Sequence, residues 1–478
     1  MSNLKKKSVD AVIWNLLGKY GIQLISLIIG VILARILSPE DYGKFGLIAV
    51  FPAFALVFIN SGFGSAYIQK RNATNLDASS IFYFNITLSI FFYLLLFLFA
   101  PVVANFYQID ELKILIRVVS LGLIVNSIGM VQTAILTKNI NFKRQILINL
   151  TSVVVSGIIG IFAALNNYGV WSLVVQQLCN SMLRNLGLWL FQSFRPVFGF
   201  SYKSMRELFS YGSFVLGSSL LLALFKNINT LVIGKYFAIN ELGFFNKAKG
   251  FNINIMQQPV QAVSAVSFPV LSSLNHDNVA TKRSLKKFLI NLNFLILFVG
   301  SLVFVISDPL ILLVLTNKWQ PMIIYFQLML ISGFLLPINT LNQQVILALG
   351  YSRLNFKISV LKIVLRILAL VISIQFGIIY IIIGGLIVTL IAVFINGYFS
   401  KEFIDYSLWD QLNDNKYLYL GAVLVIIIGF PIVVSIQNIY LKIMIGSLIS
   451  SVIFITVQYL FNRNTLIETI SLVKGRIK

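Results

Sequence analysis

One cysteine, Cys179, and one histidine, His276, occur in 478 residues. A lone cysteine closes no disulfide within the chain, and with a single histidine it cannot build a Cys/His zinc site, so no metal and no cofactor is expected. Charge is scarce too: 11% of residues are Asp, Glu, Lys or Arg, against about 25% in an ordinary soluble domain. Carboxylates are scarcest. Asp10, Glu40, Asp41, Asp77, Asp110, Glu111, Glu207, Glu241, Asp277, Asp308, Glu402, Asp405, Asp410, Asp414 and Glu468 all fall in a loop, a tail or the edge of an apolar run. General acid–base catalysis needs placed carboxylates or histidines. His276 and Asp277 stand in a basic loop without further partners, so a membrane polymerase or glycosyltransferase is disfavoured and no enzyme activity is expected. Cys179 reads as a small apolar residue.

What the chain has instead is hydrocarbon, with 58% of residues hydrophobic. Crossing a bilayer takes about 20 apolar residues, and such stretches recur near 11–36, 43–67, 80–106, 114–136, 146–166, 169–192, 210–234, 250–275, 288–307, 322–349, 358–376, 378–399, 417–436 and 443–461. The pattern predicts an all-α integral membrane protein with fourteen transmembrane helices and no sizeable soluble domain. The first span is too long for the apolar core of a signal peptide and is expected to stay on the mature chain.

The net charge of +22 fits either nucleic acid or an anionic membrane face, and its location decides. With the amino terminus inside, cytoplasmic segments collect Lys5, Lys6, Lys7, Lys70, Arg71, Lys138, Lys143, Arg144, Lys282, Arg283, Lys286, Lys287 and the tail's Lys474, Arg476 and Lys478. The opposite loops hold only Lys44, Lys113, Lys235, Lys247, Lys249, Lys318 and Lys442. That is the positive-inside bias, not a nucleic-acid footprint, and both termini are expected in the cytoplasm. The tail, with Leu466, Ile467, Ile470 and Val473 among basic residues, reads equally as an amphipathic helix on the inner leaflet or as a frayed end.

The halves echo one another. Arg35-Ile36-Leu37-Ser38-Pro39-Glu40-Asp41-Tyr42-Gly43-Lys44-Phe45 lines up with Lys235-Tyr236-Phe237-Ala238-Ile239-Asn240-Glu241-Leu242-Gly243-Phe244-Phe245. Val131, Ala134 and Asn141-Phe142-Lys143 likewise echo Val345, Ala348 and Asn355-Phe356-Lys357. Both echoes fall six spans apart, an even number that preserves orientation in the membrane. The expectation is two pseudo-symmetric six-helix bundles, 1–200 and 201–400, around a central cavity. Residues 401–478 would add two further helices and the basic tail.

Several cations lie where their cost is high, about 2.5 to 3.5 kcal/mol at a helix centre. Lys19, Lys226 and Arg366 fall well within spans and have no carboxylate at similar depth. Asn15, Lys19 and Gln23 share one helix face, and Lys226 has Asn229 and Thr230 within a turn. Such polar stripes read as a wet cavity in which an anionic ligand supplies the counter-charge. Arg117, Arg184 and Lys362 lie nearer span ends and read as snorkelling to an interface. Gln176 and Asn180 on the sixth span, and Asn339, Asn342 and Gln343 on the tenth, are candidate sugar contacts. The alternative for each is a hydrogen bond to a neighbouring helix. Pro52, Pro259, Pro269 and Pro337 are expected to interrupt backbone hydrogen bonding.

Four stretches carry a resemblance: Leu33-Ala34-Arg35-Ile36-Leu37-Ser38-Pro39-Glu40-Asp41-Tyr42-Gly43, Gly62-Phe63-Gly64-Ser65-Ala66-Tyr67-Ile68-Gln69-Lys70, Gly169-Val170-Trp171-Ser172-Leu173-Val174-Val175-Gln176-Gln177 and Phe268-Pro269-Val270-Leu271-Ser272. In order and spacing, from residue 8 to about 400, the chain resembles the Wzx-type polysaccharide transporters of the multidrug/oligosaccharidyl-lipid/polysaccharide superfamily. The resemblance implies a MATE-like bundle of twelve paired spans plus two, working by alternating access in the bacterial inner membrane. The implied activity is a flippase for undecaprenyl-pyrophosphate-linked oligosaccharide, the repeat unit of O-antigen, capsule or exopolysaccharide, acting beside a polysaccharide polymerase and chain-length machinery. Several relatives carry an acidic residue in the first span of the second half, where this chain has Asn227, Asn229 and Thr230, which puts ion coupling through such a carboxylate in doubt. A cation-coupled multidrug exporter of the same superfamily would want that carboxylate; a peptidoglycan-precursor flippase matches the motifs less well.

Overall fold

The computed structural model describes residues 2–60, 63–70, 72–202, 223, 225–463 and 466–467, with side chains from Gly18 onward except at Ser65. The side chain of Asn15, most of the span expected at 210–234, and the tail past residue 467 lie outside the described residues. Everything described is helix, turn or short connection, with no strand among the described residues.

The first compact unit covers 1–243. It holds α1 (Ser2–Ile36), α2 (Pro39–Asn60), α3 (Phe63–Gln69), α4 (Asn75–Tyr107), α5 (Glu111–Lys138), α6 (Phe142–Leu165), α7 (Val170–Phe191), helical residues 225–236 as α8, and the start of α9 (Ile239–Asn252). The broadest helix pairings are α4 with α5, α6 with α7, and α1 with α6. Small residues let α1 and α6 approach: Gly157 meets Ile29, and Gly18 meets Ile146. α4 starts where Thr74 and Asp77 form a reciprocal capping box, and Asp77, only 3% exposed, also takes Lys70 Nζ at 3.1 Å. Lys138 then closes this end by donating to the carbonyls of Tyr67 (3.2 Å) and Lys70 (2.6 Å), over the Tyr67 ring.

The second unit, 244–478, continues α9 and adds α10 (Gln258–Ser273), α11 (Asn278–Val305), α12 (Ser307–Leu315), α13 (Met322–Gly333), α14 (Leu336–Ala348), α15 (Ser352–Ser373), α16 (Ile378–Ile404), α17 (Leu408–Leu424), α18 (Phe430–Ser435) and α19 (Ile439–Phe461). Its core gathers Leu297, Val305, Leu418, Val425 and Phe454 from α11, the α17–α18 run and α19. Ten described helices are long and apolar enough to cross a membrane, or 11 if α13 and α14, bent by 41°, count as one span. α7 is not among the ten, because Gln176, Gln177, Asn180, Arg184 and Asn185 dilute its apolar content.

Prolines act differently from one another. Ile253–Gln257 and Val425–Gly429 widen to π-type turns directly before Gln258-Pro259 and Phe430-Pro431. A proline has no N–H for the carbonyl four residues back, and the wider turn absorbs that loss. Pro337 sits at the first turn of α14, just after the bend. Pro52 and Pro269, by contrast, ride inside unbroken helices.

Candidate functional site

The segment that opens α2 is built residue by residue from its sequence. Ser38 and Asp41 cap the helix, with Ser38 N and Oγ donating to Asp41 Oδ2 at 2.9 and 2.7 Å and Asp41 N donating back to Ser38 Oγ at 3.1 Å. Pro39 begins the helix, where no N–H is required. Lys44 Nζ lies 2.9 Å from Glu40 and 2.8 Å from Glu111 at the start of α5. Gly43 is obligatory, since a Cβ there would stand 1.9 Å from the carbonyl oxygen of Ile239.

The second copy of this motif returns the contact. A Cβ on Gly243 would stand 1.9 Å from the carbonyl oxygen of Pro39. Residues that the sequence aligns as repeats, Gly43 with Gly243 and Pro39 with Ile239, thus meet reciprocally within the first unit. Two bonds continue the closure: Tyr107 donates to Leu231 O at 3.2 Å, and Lys235 donates to Phe106 O while lying over the Phe106 ring.

Away from that closure, α1 carries a polar stripe. Lys19, Gln23, Ser26 and Gly30 recur at i, i+4, i+7 and i+11, so they lie on one face of the helix. Exposed Tyr20, Leu24, Leu27, Ile28 and Ile32 occupy another face, the one suited to lipid. Lys19 and Ser26 are exposed on the polar face, and the space beside Gly30 is open to 4 Å. Lys226 on α8 is also exposed, with Asn229 half-buried and Thr230 buried one turn on.

The second unit shows a stripe of identical spacing on α15: Asn355, Ser359, Lys362 and Arg366. Here too the exposed apolar residues, Phe356, Val360, Leu361, Val364, Leu368 and Val371, lie on the opposite side. Arg366 is nevertheless exposed, so its open surface is on the protein side of the helix. The snorkelling read from sequence for Arg117, Arg184 and Lys362 gives way to bonds within the protein. Arg117 donates to Phe97 O at 3.2 Å and stacks on that ring, Arg184 reaches Thr133 Oγ1 at 3.4 Å, and Lys362 reaches Asn339 Oδ1 at 3.3 Å.

The amides singled out in the sequence are engaged with neighbouring helices. Asn180 donates to Ser156 at 3.2 Å, and the Gln176 stem packs on Gly160 of α6. Asn342, wholly buried, donates to Gln411 at 2.8 Å and accepts from Ser400 at 2.8 Å. Asn339 accepts from Asn396 at 2.6 Å, and Gln343 donates to Asn355 at 2.9 Å. Sequence reading missed the partners Asn396, Ser400 and Gln411, along with Asn293, which donates to Asn415 at 3.0 Å. Polar residues on α11, α16 and α17 were their only signal.

No cluster of His, Cys, Asp or Glu able to hold a metal occurs among the described residues. The stripes present cations and amides, groups whose chemistry suits an anion.

The comparisons with known proteins agree with this architecture. Teichuronic acid biosynthesis protein TuaB of Bacillus subtilis is 26% identical over 366 residues, covering 74% of each chain. Lipopolysaccharide biosynthesis protein WzxC of Escherichia coli is 24% identical over 403 residues, 81% of this chain and 80% of that one. Among solved structures, the lipid II flippase MurJ in an inward closed conformation superposes with a TM-score of 0.76 at 15% identity, over 95% of this chain and all of MurJ. A family model described as polysaccharide biosynthesis protein matches residues 32–324. The chain is a multi-span membrane protein with the fold of the solved flippase, and it belongs to that polysaccharide biosynthesis family.

Proposed function

We propose that this protein is a flippase that carries undecaprenyl-pyrophosphate-linked oligosaccharide from the cytoplasmic to the outer leaflet of a bacterial inner membrane. The transported unit would be a repeat of an exopolysaccharide, capsule or O-antigen. The observation that carries the reading is the pair of matching stripes. Lys19 on α1 and Arg366 on α15 are exposed on the faces turned away from the apolar surface, and in a bilayer they would lie within their spans. Cations at that depth are costly, and a diphosphate headgroup is the anion that relieves the cost. Similarity to proteins named for teichuronic acid and lipopolysaccharide biosynthesis supports a glycan substrate.

The chain would cross the membrane fourteen times with both termini in the cytoplasm, in keeping with its loop charges. In the first unit Lys19 and Lys226, helped by Gln23 and Asn229, and in the second unit Arg366, would each offer a cation to the headgroup while the glycan occupies a hydrated interior. Transport would proceed by alternating access, with the headgroup bound more weakly in the outward-open state. The product faces the polymerase and chain-length machinery outside.

The test is translocation of a fluorescent lipid-linked oligosaccharide in proteoliposomes. Wild type is expected to move it, and Lys19→Ala with Arg366→Ala to abolish movement while the protein stays folded. Wild-type rates in that double variant would remove the cation role, and a wild type that moves a cationic dye instead would make the protein a drug exporter.

A further inference from the structure

Lys362 stands ten residues into α15 and eleven from its end, about 15 Å from either terminus at 1.5 Å per residue. No lysine stem spans that distance, so its ammonium belongs to the protein interior. There it meets Asn339 Oδ1 at 3.3 Å. That oxygen is fixed in place, because Asn396 donates from one Nδ2 both to Asn339 Oδ1 at 2.6 Å and to Asn339 O at 3.0 Å. Asn396 is itself 0% exposed, so the amide pair has no freedom to turn.

An ammonium has three donors, and Asn339 is its one hydrogen-bond partner among the described residues. Arg366 follows one turn later on the same face. Like charges at that spacing repel, and the sequence holds no acidic residue between Asp308 and Glu402 to separate them. The site offers two cations and a neutral amide clamp that supplies one acceptor for the three ammonium donors of Lys362.

We propose that Lys362 is an anion-binding residue of the transport path, positioned by Asn339 and Asn396, and that Lys362 and Arg366 take the two phosphoryl groups of a lipid diphosphate. This rests on the reading of the protein as a carrier of such lipids. The guanidinium grips one phosphoryl group with paired N–H donors, and the ammonium acts on the other as a point charge. Asn339 and Asn396 touch no ligand and are positioning residues.

The test uses the full-length protein in detergent, with farnesyl diphosphate and farnesyl monophosphate as probes in a binding titration. Wild type is expected to prefer the diphosphate, and Lys362→Met to weaken its binding about tenfold or more, the loss of a charged hydrogen bond. Lys362→Arg restores part of it. Asn339→Asp separates binding from folding. A carboxylate there accepts from both Asn396 and Lys362, so the melting temperature holds or rises, while the occupied ammonium loses the diphosphate by a similar factor. Wild-type affinity in Lys362→Met or in Asn339→Asp overturns the proposal, as does a wild type that binds both probes equally. Proteoliposome transport by the wild type reports on the parent reading separately. Absent transport with Lys362-dependent binding sinks the flippase and keeps the site, and intact transport with Lys362-independent binding does the reverse.

Discussion

Replacing Gly43 by alanine puts a methyl 1.9 Å from Ile239 O, where carbon and oxygen settle at about 3.3 Å. The two backbones must therefore part by about 1.4 Å. Overpacking of this kind costs about 1–3 kcal/mol, and alanine returns about 1 kcal/mol through its better helix propensity within α2. The net shift is up to about 2 kcal/mol, a factor of about 30 against the closed contact. Hydrogen–deuterium exchange in proteoliposomes reads this in residues 231–243, whose amides are held by bonds such as Phe237 N to Ile233 O and Leu242 N to Ala238 O. Gly43→Ala and Gly243→Ala are each expected to speed exchange there. Because Gly43 and Gly243 act on one separation, the double variant should cost less than the sum of the singles. Wild-type exchange in both single variants, or strict additivity, would refute the reciprocal contact as the element that holds these two segments together.

Asn342→Ala strips partners from Gln411 and Ser400 in a wholly buried setting and is expected to destabilise the second unit by about 1–3 kcal/mol, read as a lower melting temperature in detergent. Asp77→Asn keeps the shape of the Thr74 cap but removes the charge facing Lys70; faster proteolysis of the 70–75 loop is the expected result, and unchanged cleavage would count against that pairing. Burial first, then the bond it donates to Asp414 and the charges of Asp414 and Asp410, push the Tyr406 phenol above its ordinary range. A group raised on folding stabilises fully below its unfolded value and loses that contribution as pH rises beyond it. Thermal stability should therefore fall above about pH 10, and less steeply in Tyr406→Phe.

Much of the helix plan is visible in the residues, because apolar run length alone separates spans from loops in a bilayer protein. Its failures have physical causes. α12 is a nine-residue helix, too short to register as a span, and the 322–349 stretch reads as one span because its hydropathy continues through the 41° bend. Of the four prolines expected to interrupt backbone bonding, Pro52 and Pro269 lie inside continuous helices, each removing one backbone hydrogen bond without ending the helix. For the candidate site, the Lys19 and Gln23 spacing announces its stripe directly. Lys362 is misread from sequence because the acceptor that holds it, Asn339, sits on another helix, and pairing between helices leaves no trace in local periodicity.

The ladder of amides that ties α17 to its neighbours, Gln411 to Asn342 and Asn415 to Asn293, with Gln458 of α19 donating to Tyr417 O at 2.8 Å, sets an order on biogenesis. While the ribosome is still threading residues below 408, Asn342 and Asn293 are already made and their partners Gln411 and Asn415 are not. Unmet amides in hydrocarbon are costly, so the nascent second unit must wait, sheltered by the insertion machinery, until its final hairpin arrives. A chain cut short before that hairpin would present the quality-control proteases with an unfinished bundle.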